Sequence, residues 1–220
     1  MGLGDIKGNI AGAARLAAHL ATGPLHSQER RTWGATAREV EEQLPGDDLL
    51  LEISWQSTRA VTIWATPDQV WPWVLQIGHG RKGFSAHELM TGLVAEHGQG
   101  YQVMRTDRDE VAVGADVWLH NQLPPLQVAE LVSDERLVLV GIPEDNPLAQ
   151  TVWSYHLRAL PHGRTRLIER TAFLHGDSLV KKLAGGPYVV EPVSFMMSRD
   201  MLLAVKKLAE ESTGPAALEA

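Results

Sequence analysis

The sequence predicts an α+β domain in which a curved antiparallel β-sheet wraps around one long C-terminal α-helix, with two short helices after the first strand and an extra N-terminal helical arm. Three observations predict it. Between residues 101 and 174, β-branched and aromatic residues recur in short alternating runs separated by turn-forming clusters. After a Gly185-Gly186-Pro187 break, one long stretch carries apolar residues at helical spacing. A single strand pattern followed by a capped short helix precedes the strand run.

Taken in order, Asp5 to Thr22 reads as an Ala-rich helix stopped by Gly23-Pro24, and residues 27–44 as a second, polar helix ended by Pro45-Gly46-Asp47-Asp48. Glu52 to Trp64 changes to a period of two and reads as a strand. Thr66-Pro67-Asp68-Gln69 offers a cap, a proline for the first helical position and a capping-box partner, so a helix is expected from Pro67 to Ile77. A Gly-rich loop, Gly78 to Gly83, and a helix over Ala86 to Glu96 follow. Strands are expected at Val111–Leu119, Leu126–Val132, Arg136–Ile142, Thr151–Leu160 and Arg164–Leu174, the last two forming a hairpin across Pro161-His162-Gly163. In that hairpin Trp153, Tyr155 and Leu157 share one face, and Leu167, Glu169, Thr171 and Phe173 share a face of the partner strand. The last helix is expected from Val189 to Glu211, with Met197, Met201, Ala204, Val205 and Leu208 as its apolar stripe. These elements divide into an arm over 1–45, a domain over 46–212 and a frayed tail over 213–220.

Composition narrows the function. The chain of 220 residues has a net charge of −7, so clustered phosphate contacts and nucleic-acid binding are not expected. It has no cysteine, which removes disulfides, thiolate nucleophiles and Cys-ligated metals and suits a cytoplasmic setting. No apolar run is long enough to span a membrane; the stretch Ile10 to Ala21 is interrupted by Arg15 and His19 and is read as an arm, not a leader. That arm is a candidate docking element for a partner or for a second copy of the chain in a homodimer. Gly78-His79-Gly80-Arg81-Lys82-Gly83 satisfies a dinucleotide fingerprint in letters only, because it joins two expected helices and follows no strand. His87-Glu88 opens like a zinc-protease motif, but Thr91 stands at the second histidine position, and no metal or cofactor is expected.

The run Thr58-Arg59-Ala60-Val61-Thr62-Ile63, with Val70-Trp71-Pro72-Trp73-Val74-Leu75-Gln76-Ile77-Gly78, resembles bacterial members of the SRPBCC superfamily, the START-like, Bet v 1-like or helix-grip proteins. Gly80-Arg81, Gly83-Phe84, Leu123-Pro124-Pro125, the hairpin Gly163 to Leu167, and Glu191-Pro192 with Phe195, Met197, Arg199 and Met201-Leu202-Leu203 extend the resemblance over residues 30–210. It implies a helix-grip fold with an internal pocket for a hydrophobic small molecule, such as a polyketide, an aromatic metabolite or a lipid. It also admits a cofactor-independent cyclase, dehydratase or aromatase. Where relatives carry Gly-Phe-Tyr-Ser-Tyr-Asp, this chain has Gly83-Phe84-Ser85-Ala86-His87-Glu88; Ser194 stands where relatives often have His, and Asp200 where they often have a base.

The candidate pocket residues follow. Trp73, Phe84, Trp153, Phe173, Phe195, Met197, Arg199 and Met201 are expected to line the cavity, since aromatic and thioether side chains give a pliable apolar wall. His87, Glu169 and Tyr155 are the candidate proton-transfer groups. Glu169 shares parity with Leu167 and Phe173, so it faces inward with them; it serves either as a base or as the partner of an arginine on the last helix, Arg199.

Overall fold

The computed structural model describes residues 26–77, 111–117, 125–141, 151–174 and 190–213. Two short helices come first, α1 (Ser27–Arg31) and α2 (Ala37–Glu41), then a turn of 3-10 helix at Asp47–Leu49. Strand β1 (Trp55–Ile63) and helix α3 (Pro67–Val74) follow. The remaining strands are β2 (Asp116–Val117), β3 (Leu126–Val132), β4 (Arg136–Gly141), β5 (Thr151–Leu160) and β6 (Arg164–Phe173), and the chain closes with α4 (Val190–Ser212).

The six strands form one curved sheet in the order β1-β6-β5-β4-β3-β2, each neighbour antiparallel. Three-residue chemistry sets the central hairpin. Leu160 pairs with Arg164 across Pro161-His162-Gly163, and His162 and Gly163 take φ of 63° and 64°, a left-handed pair that a glycine accommodates without a Cβ penalty. Register then fixes facing. Trp153 lies opposite Thr171, Tyr155 opposite Glu169 and Leu157 opposite Leu167, so the two faces read from parity are the faces observed. A bulge between Val128 and Glu130 bends β3.

One core fills the concave side. Val61, Ile63, Leu137, Leu139, Trp153, Tyr155, Leu157 and Leu167 of the sheet meet Val70, Trp71, Trp73 and Val74 of α3 and Met201, Leu202, Val205, Leu208 and Ala209 of α4. At about 25 cal/mol per Å² of apolar surface, this burial is the main stabilising term. The opposite face is covered by residues 34–47, where Arg170 donates to Thr58 Oγ1 (3.0 Å), to the carbonyls of Glu39 (2.6 Å) and Glu42 (2.8 Å), and to Asp47 (2.5 Å).

The structure departs from the sequence expectations in several places, the first being that β1 begins at Trp55, three residues after the expected Glu52. Residues 27–44 are not one helix. Gly34 adopts φ +70°, and Thr36 starts a new helix with a reciprocal capping box to Glu39. Helix α3 ends at Val74, three residues short of Ile77: the Gln76 and Ile77 N–H groups donate to the Trp73 and Val74 carbonyls, three residues back, so the last turn tightens out of the α-helical ladder. The strand expected from Val111 begins only at Asp116, since a turn with Gly114 at φ +87° occupies the residues before it. The buried seam of α4 is rotated from the expected stripe. Phe195, Ser198, Met201, Leu202, Val205, Leu208 and Ala209 are buried, while Met197 and Ala204 are only half-buried. The expected helices over residues 5–22 and 86–96 and the loop over 78–83 lie outside the described residues.

Candidate functional site

Three strands and α4 bring the site together. On the concave face, Arg59 of β1 pairs across the sheet with Glu169 of β6, which pairs with Tyr155 of β5. The next row is Ser57, Thr171 and Trp153. Beyond it Trp55 stacks on Phe173, with ring centroids 4.7 Å apart. Arg59, Glu169 and Tyr155 are each 0% exposed.

Helix α4 supplies hydroxyls to this surface. Ser198 Oγ accepts from Arg59 Nη1 (2.7 Å) and donates to Glu169 Oε1 (2.8 Å), so it links the two charges. Thr171 Oγ1 also donates to Glu169 Oε1 (2.9 Å). Arg59 Nη1 further reaches Ser194 Oγ (3.3 Å) and carbonyl (3.4 Å). The direct ion pair, Arg59 Nη1 to Glu169 Oε2, is 3.7 Å, too long for a hydrogen bond. Rings flank the guanidinium, with Trp55 at 6.0 Å and Phe195 at 5.8 Å from its central carbon.

Helix α1 holds the other side of Arg59. Its Nε donates to the Arg30 carbonyl (2.9 Å), and Arg30 Nε donates to Glu191 Oε1 (2.8 Å), whose Oε2 accepts from Ser27 Oγ. Burial pushes Arg59 below the usual guanidinium range, and the charges of Glu169 and Glu191 push it back. Burial raises the Tyr155 phenol well above its ordinary value, and the Glu169 charge adds to this. Tyr155 is therefore a protonated donor at neutral pH, and its O–H points at Met201 Sδ (3.3 Å).

Five buried polar atoms on this one face have no hydrogen-bond partner among the described residues: Trp55 Nε1, Ser57 Oγ, Arg59 Nη2, Trp153 Nε1 and Glu169 Oε2. Unpartnered buried polar atoms are rare in proteins and costly one by one. Here they occupy three adjacent rows of the sheet.

The expected site residues divide accordingly. Tyr155, Glu169, Trp153, Phe173, Phe195 and Met201 are buried around this patch. Trp73 is buried in the core between sheet and α4. Arg199 is not the partner of Glu169; its guanidinium lies 5.4 Å from the Trp33 ring and 3.4 Å from Asp200 Oδ1. Arg59 takes the place expected of it, because a residue directly opposite on β1 is nearer than one on the helix. Met197 is half-buried, and His87 and Phe84 lie outside the described residues. Arg59, Ser57, Ser198 and Trp55 were missed. Parity alone offered the signal for three of them: Trp55, Ser57 and Arg59 share the face of Val61 and Ile63.

Among the described residues no His, Asp or Glu group is placed to hold a metal ion, and no helix is long and apolar enough to cross a membrane. No family model matches the sequence, and no curated protein matches it. Solved structures do. The chain is similar to the Aha1 dimer from Colwellia psychrerythraea at 12% identity and TM-score 0.44, over 73% of this chain and 99% of that one. It is similar to the Zhui aromatase/cyclase from Streptomyces sp. R1128 at 19% identity and TM-score 0.42, over 74% and 97%. A third, a polyketide-cyclase-like protein from Corynebacterium glutamicum, is 14% identical with TM-score 0.36, over 70% and 91%. The antiparallel sheet, closed along one side by a C-terminal helix that packs on its concave face, is the helix-grip fold.

Proposed function

We propose that the chain binds a hydrophobic small molecule, a polyketide, an aromatic metabolite or a lipid, between the concave face of the sheet and α4. The observation that carries this reading is the patch of five unpartnered buried polar atoms set among Trp55, Trp153, Phe173 and Phe195. Apolar side chains supply affinity by burial, and a few fixed polar groups supply orientation, which is the usual make-up of a small-molecule site. Native mass spectrometry of the purified protein, followed by denaturation and identification of what is released, tests it. A stoichiometric apolar compound is the expected result. An apo mass that persists after incubation with aromatic and lipid probes contradicts it.

A second reading, a cyclase or dehydratase, is favoured by one specific arrangement. Tyr155, a buried phenol kept protonated, lies opposite Glu169, whose Oε2 is unpartnered. A phenol and a carboxylate as register partners on one face support this reading, since enolisation or dehydration of a carbonyl compound requires a proton donor and an acceptor. His87, the third candidate for proton transfer, is part of this proposal on sequence grounds alone. In this reading the Tyr155→Phe protein retains the released compound and loses its conversion; in the carrier reading there is no conversion to lose.

A further inference from the structure

The polar patch has a charge and a hydrogen-bonding character that narrow what it accepts. Four side-chain charges lie inside this region, Arg30 and Arg59 with Glu169 and Glu191, none more than 3% exposed. They balance. Arg30 pairs with Glu191 at 2.8 Å, and Arg59 with Glu169 at 3.7 Å. The further cation in range among the described residues, Arg31, is half-exposed and directs its Nε to the Gln56 carbonyl (2.7 Å). A ligand that brought its own carboxylate here could take Arg59 Nη2 as a donor but would leave the buried charges out of balance by one, a penalty of the kind that dominates in dry interiors.

The unpartnered atoms are mixed in kind. Trp153 Nε1, Trp55 Nε1 and Arg59 Nη2 only donate; Glu169 Oε2 accepts; Ser57 Oγ does either. They lie in neighbouring rows, with Arg59 and Glu169 in one, Ser57 and Trp153 in the next. A purely apolar ligand would leave all of them unsatisfied. A ligand with only acceptors would leave the carboxylate oxygen unsatisfied.

We infer that the ligand of this site is an uncharged amphiphile presenting both a hydroxyl-type donor, taken by Glu169 Oε2, and a carbonyl-type acceptor, taken by Trp153 Nε1 with Ser57 or Arg59. This deepens the binding reading above and rests on it. It excludes fatty acids and other free carboxylates as preferred ligands.

Three probes on one ring test it by calorimetric titration: a naphthalene carrying a hydroxyl and an acetyl group, the same ring with hydroxyl and carboxylate, and the apolar dimethyl analogue. The native protein is expected to bind the acetyl probe at least about tenfold more tightly than the carboxylate. Trp153→Phe and Ser57→Ala remove atoms that bond nothing among the described residues, so both variants are expected to fold. Trp153→Phe is expected to weaken the acetyl probe about three- to tenfold more than it weakens the dimethyl probe, which loses only apolar contact. Glu169→Gln leaves Arg59 uncompensated and is expected to narrow or reverse the preference for the neutral probe. Equal or tighter binding of the carboxylate by the native protein overturns the inference. So does an acetyl affinity that neither Trp153→Phe nor Ser57→Ala alters. If the dimethyl probe binds as tightly as the acetyl probe, the polar assignment is wrong and the binding reading stands. If none of the three binds, the binding reading itself fails.

Discussion

Arg59 and Glu169 sit fully buried and opposite one another, joined through Ser198 more closely than to each other. Removing one partner of such a pair costs about 3–5 kcal/mol, because the other charge is left stranded. The inward aim of Glu169 was legible from strand parity alone. Its partner was not, since β1 and β6 are more than a hundred residues apart and no local pattern says which strands pair. A different residue makes stability depend on pH between 6.5 and 4. His156, on the opposite face of β5, is buried among Arg136, Arg158 and Arg170; burial first, then those charges, push its imidazole down to about 4. It is neutral in the folded protein over most of the pH range and protonates in the unfolded chain near pH 6.5. Its depressed value therefore leaves stability intact above about 6.5 and erodes it as pH falls from there towards 4. The shift, 6.5 to about 4, corresponds to about 3 kcal/mol at most. Denaturant titrations at stepped pH should show the loss between pH 6.5 and 4 shrinking in His156→Gln; an unchanged slope would rule this account out.

At the scale of elements, the first described segment closes the sheet. The Trp33 carbonyl accepts from the Ala60 N–H (3.1 Å), Arg31 Nε donates to the Gln56 carbonyl (2.7 Å), and Lys206 Nζ donates to the Thr62 carbonyl (2.7 Å). These contacts take up the outer edge of β1, which would otherwise be open to pairing with another chain. Gly34 makes the close approach possible. It holds φ +70°, and a Cβ there would collide with the Ala60 carbonyl oxygen. Gly114 serves as a control, with φ +87° and open space around it. Gly34→Ala is expected to destabilise by about 2 kcal/mol or more, and Gly114→Ala by about 1 kcal/mol, in equilibrium denaturation. Equal losses would mean that the contact with β1 is slack. The bounds of β3 and β5 follow directly from their alternating runs and turn signals. The break between α1 and α2 does not, although Gly34 and the pair Thr36 and Glu39 carry its signature. A helical period in polar residues is weak evidence when the apolar face is small.

At the scale of the molecule, the sheet presents two unlike faces. The outer one is crossed by ion pairs that reach residues 34–47, such as Arg166 to Glu39 at 2.7 Å, which draws the Glu39 carboxyl down to about 2. The inner one is apolar except for the patch around Arg59 and Glu169. The succession of strands along the chain and the long last helix were legible in the sequence because periodicity is a local property; their order in the sheet was not. The composition of the patch was legible only in part, because it depends on register across three strands and on which face of α4 turns inward. Met197 shows the limit. A stripe drawn through it fits a helical period, yet the seam chosen by the fold runs through Ser198, where a hydroxyl can reach both charges.

The central claim is that the unpartnered indole and carboxylate groups on the inner face meet a ligand. The chain has seven tryptophans, so its indole N–H resonances form a small, resolvable set. Titrating the uniformly nitrogen-labelled protein with the hydroxyl- and acetyl-bearing naphthalene, with signals assigned through Trp153→Phe and Trp55→Phe, reads the claim directly. The Trp153 indole proton should move downfield as it acquires an acceptor, while the exposed Trp64 signal stays in place. Binding that moves Trp64 and leaves Trp153 unshifted would contradict the account.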